Sequence, residues 1–123
     1  MDESFIKKGA KRIKEEDIEK VTRKADKIEK KVRESGPLRR YIEDVKLLIS
    51  LVKDYWFGIY KEIPYWVIGA TVFTLLYVLS PIDLIPDVIP VVGLVDDAAV
   101  IAICLLMIEQ ELHDYSEWKA ANS

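Results

Sequence analysis

Apolar positions in the first quarter of the chain are sparse and evenly spaced. Ile18, Val21, Ala25, Ile28 and Val32 follow a three-then-four rhythm among Lys, Glu, Arg and Asp, the pattern of a helix with one thin apolar stripe. Acid-before-base pairs at i,i+4 (Glu16–Lys20, Glu19–Arg23, Asp26–Lys30 and Glu29–Arg33) support that helix by a few tenths of a kcal/mol each, in the order the helix dipole favours. Phe5, Ile6, Ala10 and Ile13 draw a similar stripe upstream, but Glu15-Glu16-Asp17 shifts its phase by one residue. Residues 1–34 therefore predict either one bent helix or a loose leader followed by a helix. A stripe this narrow must dock on something or pair with another helix, in this chain, a protein partner or a second copy.

Ser35-Gly36-Pro37 is a stop followed by a restart: glycine suits the residue just past a helix end, and proline the first turn of the next. Leu38, Val45, Val52 and Ile59 then recur every seven residues, with Tyr41/Ile42, Leu48/Ile49 and Tyr55/Trp56 between them. This predicts a well-formed amphipathic helix with Arg39, Arg40, Glu43, Asp44, Lys46, Lys53 and Asp54 on its outer face. Beyond Lys61-Glu62 the character changes. Ile63 to Ser80 carries no charge, Pro64 favours a helix start, and the predicted third helix is apolar nearly all round. A fourth helix is expected from Asp96-Asp97 through the apolar run 98–108 to about His113, with Tyr115, Trp118 and a polar tail (116–123) behind it. The expected fold is all-α: about four helices, as a small bundle or hairpin, the charged segment 1–34 preceding a helical domain at 37–115.

Between the last two predicted helices lies Ser80-Pro-Ile-Asp-Leu-Ile-Pro-Asp-Val-Ile-Pro-Val-Val-Gly-Leu-Val-Asp-Asp-Ala98. Pro81, Pro86, Pro90 and Gly93 forbid one continuous helix, yet the residues between them are Ile, Leu and Val, so the segment must pack as a corner. Asp83, Asp87, Asp96 and Asp97 are embedded in it. Their plainest role is architectural: Ser80 capping a turn begun by Pro81, Asp83 at the capping-box position, Asp96 capping the last helix with Asp97 at its positive end. A hard-cation site built from the same four carboxylates is a weaker alternative, because their spacing matches no known loop. Partner recognition or a proton path is another.

The run Tyr77-x-x-Ser80-Pro81-Ile82-Asp83-Leu84-Ile85-Pro86-Asp87-x-Ile89-Pro90-x-x-Gly93-x-x-Asp96-Asp97-Ala98 resembles the signature of the YkvA-like proteins, domain of unknown function 1232. The resemblance covers roughly residues 60–110. It implies small helical proteins, integral to or associated with membranes, with no established enzymatic activity.

Charge sharpens the picture. Residues 1–62 hold 17 bases against 13 acids, whereas residues 63–123 hold Lys119 alone against 8 acids, so the two halves are expected to meet different surroundings. Three features favour a bilayer. The uncharged run of helix is about 25 Å long at 1.5 Å per residue. Aromatics crowd its start (Tyr55, Trp56, Phe57, Tyr60, Tyr65, Trp66) and follow the second apolar helix (Tyr115, Trp118). Most bases precede Tyr55, which would keep the N-terminal half cytoplasmic. Against this, the run is short for a hydrocarbon core of about 30 Å, and such helices also form the centre of soluble bundles. The leading expectation is a non-enzymatic, membrane-associated protein with an apolar transmembrane hairpin over 63–112 and a cytoplasmic charged platform. A soluble, cytoplasmic protein–protein interaction module is the alternative. Nothing after Met1 resembles a signal-peptide core. Cys104, among aliphatic neighbours, reads as a small buried hydrophobe, and His113, between Glu109 and Glu117, as a helix-surface residue. No nucleophile–base arrangement can be assembled from them, no cofactor or small-molecule substrate is expected, and the near-balanced charges of the first helix argue against nucleic-acid binding.

Overall fold

The computed structural model describes residues 3–80 and 96–122, which carry six α-helices and no strand. They are α1 (Glu3–Ala10), α2 (Glu15–Glu34), α3 (Ile42–Trp56, entered through a 3-10 turn at Arg39–Tyr41), α4 (Tyr65–Leu79), α5 (Asp97–Met107) and α6 (Glu109–Asn122). The fold is all-helical, with more helices than the roughly four expected.

The extra helices arise at two breaks. The phase shift at Glu15-Glu16-Asp17 is a helix start: Lys14 is extended, and its backbone N–H donates to Asp17 Oδ2 at 2.9 Å. Three acids in the first turn face the positive end of the α2 dipole. Residues 3–34 thus hold two helices, where one bent helix or a loose leader followed by a helix was expected. At the other end, the chain turns at the buried Ile108 and continues as α6. Helical structure therefore runs past His113 to Asn122, through most of the expected tail.

α4 is the centre of the molecule. Every residue from Val67 to Val78 is buried, because α1, α2, α3 and α5 all pack on it. The thin stripe of α2 docks on α3 and α4, burying Ile18, Val21, Ala25, Ile28 and Val32, so residues 3–34 share one core with the rest. α1 approaches α4 at small residues. A Cβ on Gly69 would lie 2.8 Å from the Ala10 carbonyl oxygen, and one on Gly9 would enter the Phe73 ring. Phe5 adds edge-on contacts to Phe73 and Tyr77, with centroids at 5.3 and 5.6 Å.

The expected transmembrane helix is not supported. α4 has 15 residues, about 22 Å, and among the described residues no helix is long and apolar enough to cross a membrane. Its apolarity on all sides has another cause: four other helices surround it.

Candidate functional site

The Pro/Asp segment enters and leaves the described structure at defined points. Ser80 N–H closes α4 on Leu76 O at 2.8 Å. Asp96 is the N-cap of α5, its Oδ1 accepting from Ala98 N–H at 3.3 Å, as its sequence position predicts. Burial raises the Asp97 carboxyl above its ordinary range, against the opposing pull of Lys31. Lys31 also donates to the Leu79 carbonyl at 3.2 Å, so one lysine of α2 serves both the C-terminal end of α4 and the start of α5. Pro81, Asp83, Pro86, Asp87, Pro90 and Gly93 lie outside the described residues. Among the described residues no group of three His, Cys, Asp or Glu side chains could hold a metal ion.

A second feature lies at the turn between α3 and α4. Gly58 takes φ +76°, a conformation that favours glycine. The Gly58 and Ile59 N–H groups bond back to Tyr55 O and Asp54 O at 3.2 and 2.8 Å, the paired hydrogen bonds of a Schellman ending. The turn ends the seven-residue repeat one step early. Ile59, expected to continue the buried stripe, is instead 60% exposed beside Phe57 at 66%. Trp56, Tyr65 and Trp66 are exposed with them. Tyr65 Oη donates to the Ile13 carbonyl at 3.1 Å, and burial raises its phenol. That bond holds the α1–α2 connection against this end. Tyr65 and Trp66 share a shallow cleft of about 680 Å³ with Lys7, Lys11 and Leu106.

Behind the turn, Asp54 is buried, not outward-facing as its helix position suggested. Tyr115 Oη donates to Asp54 Oδ2 at 2.6 Å, and Lys119 Nζ reaches the same oxygen at 2.9 Å. A phenol has one proton to give, so Ser50 Oγ, 2.5 Å away, donates to Tyr115 in turn. Burial first, and the carboxylate second, push the Tyr115 phenol up. This network ties α6 to α3. Tyr60 packs edge-on against Tyr115 and at a tilt against Trp118, with centroids at 5.0 and 4.8 Å. Tyr115 and Trp118, expected at a membrane interface, thus pack into protein.

Cys104 is fully buried, and burial pushes its thiol up to about 11, away from the nucleophilic thiolate. His113 pairs with Glu117 at 3.1 Å on an exposed helix face. Sequence reasoning missed three features of this surface and its support: Lys31 between the end of α4 and the start of α5, the Asp54 network, and the basic run Lys7-Lys8-Gly9-Ala10-Lys11-Arg12-Ile13-Lys14. Only the run was visible in one dimension, as five bases without an acid in eight residues.

The described residues form an all-helical protein built around a central apolar helix, and comparison places it among known chains. Residues 67–103, from α4 to the middle of α5, match the family described as "Protein of unknown function (DUF1232)". The "Uncharacterized membrane protein YkvA" of Bacillus subtilis (strain 168) is 30% identical over 81 residues, covering 66% of this chain and 76% of that protein. The chain belongs to this YkvA-like DUF1232 family. No solved structure matches it.

Proposed function

We propose that this chain is a non-enzymatic helical module that sits on the cytoplasmic surface of a membrane and docks by the α3–α4 turn. The observation that carries this reading is the cluster Trp56, Phe57, Ile59, Tyr65 and Trp66, five exposed large apolar side chains within eleven residues. Tryptophan and tyrosine favour the bilayer–water boundary, where an apolar ring and a polar edge are both accommodated. The relative's description as a membrane protein supports association. The burial of α4 inside the bundle supports docking at the surface over insertion of an apolar hairpin.

Flotation with lipid vesicles tests the reading. Bound protein is expected to float with vesicles and to be released by alkaline carbonate. Retention after carbonate would indicate insertion, and failure to float would remove the membrane role. A second reading, a protein–protein interaction module, draws on Leu106, which is 71% exposed beside a cleft of α3, α5 and α6 that includes Leu47 and Leu105. A sedimentation coefficient that rises with protein concentration and falls back in Leu106→Glu would favour it.

A further inference from the structure

We infer that the end of the fold bearing the basic run Lys7–Lys14 and the exposed aromatic turn recognises anionic phospholipid headgroups. The inference rests on the surface-docking reading above and names the lipid class that the surface selects. Lys7, Lys8, Lys11, Arg12 and Lys14 are all exposed, while Gly9 and Ile13 between them are buried and fix the run to the bundle. Tyr65 bonds to the Ile13 carbonyl at 3.1 Å, and Lys7 and Lys11 line the same cleft as Tyr65 and Trp66. Cationic side chains and interfacial aromatics are therefore presented at one end of the molecule.

The acids nearby, Glu3, Glu15, Glu16 and Asp17, offset this charge only in part against five bases. Glu3 pairs with Lys7 at 3.3 Å. Glu15, Glu16 and Asp17 sit on the first turn of α2, where the positive helix end answers them. Reversible membrane binding becomes stable when an apolar contact and a basic patch act together, and this surface carries both. Nucleic acid would also attract the lysines. It offers nothing comparable for the aliphatic Ile59 and Leu106 at this surface, which favours the bilayer.

The test uses the full chain with two vesicle compositions: phosphatidylcholine alone, and equal parts phosphatidylcholine and phosphatidylglycerol. Binding to the anionic vesicles is expected to be at least about a hundred-fold tighter and to weaken sharply in high salt. Each basic side chain at such a surface contributes about five-fold in partitioning. The triple variant Lys7→Gln, Lys8→Gln, Lys11→Gln should therefore lose about a hundred-fold with an unchanged helical melt. Lysine-to-arginine replacement at the same positions should keep the binding. Equal, salt-insensitive binding to both vesicles would overturn the lipid preference while leaving surface docking intact. Binding to neither would overturn both. Binding to a single-stranded RNA oligonucleotide, lost in the triple variant, without anionic-vesicle binding would assign the lysines to nucleic acid and overturn the inference.

Discussion

Phe57 and Ile59 offer the sharpest separation of docking from folding. Complete burial of such side chains is worth about 3 and about 2.5 kcal/mol. With 66% and 60% of their surfaces exposed, about 2 and about 1.5 kcal/mol remain to be gained outside the fold. The sum, about 3.5 kcal/mol, applies to full transfer into hydrocarbon, and the shallow headgroup boundary recovers about half. Phe57→Ser with Ile59→Ser should therefore weaken vesicle partitioning by between about twenty-fold and about three hundred-fold. Trp56 and Trp66 report the change directly. Their emission should shift to the blue and be quenched by brominated lipid in the native chain, whereas Trp118, packed on Tyr60, should not respond. The same double variant should unfold within about 0.5 kcal/mol of the native chain in urea, because neither side chain is part of the core. Unchanged partitioning would refute the docking argument. A loss of about 2 kcal/mol in stability would show that the turn packs against protein instead.

Other substitutions probe the frame behind that surface. Gly69→Ala gains about 1 kcal/mol of helix propensity but drives a methyl against the Ala10 backbone, where overpacking costs about 1–3 kcal/mol. Trypsin cleavage at Lys11–Lys14 should accelerate as α1 loosens, and slower cleavage would contradict this seat. Asp54→Ala removes a carboxylate that two side chains share and should cost about 2–3 kcal/mol in urea unfolding, against about 1 kcal/mol for Tyr115→Phe, which leaves the Lys119 contact in place. Equal losses would mean that the phenol, not the carboxylate, ties α6 to α3. Asp97, whose folded carboxyl lies above its ordinary value of 3.8, binds a proton more readily folded than unfolded. Its contribution to stability is fullest below that ordinary value and declines as pH rises through its folded value. Asp97→Asn should accordingly be the more stable protein at neutral pH, with the advantage vanishing in acid. A native advantage that grows with pH would reverse the assignment.

Much of the local architecture was legible in one dimension because it depends on neighbours in sequence. The α2 stripe, the start of α4 after Pro64, the Asp96 cap and the Glu19–Arg23 and Glu29–Arg33 pairs all appear as read. The misreadings fall where a partner distant in sequence intervenes. Asp54 looked like an outer-face residue, and Tyr115 with Lys119, more than sixty positions away, made it an inner one. Ile59 fitted the heptad, and the Gly58 turn took it out of the helix. Tyr115 and Trp118 looked interfacial until Tyr60 was found against them.

The amino-acid order alone established an all-helical chain, the family motif and the charged character of its first half, since periodicity, caps and charge spacing act over a few residues. It left open the solvent of the helix after Pro64. An apolar surface on every side satisfies lipid and protein equally, and no period distinguishes them. The packing of α1, α2, α3 and α5 around Val67–Val78 resolved that ambiguity, because chain segments far apart in sequence cover the helix and leave the aromatic turn, not the helix, facing outward.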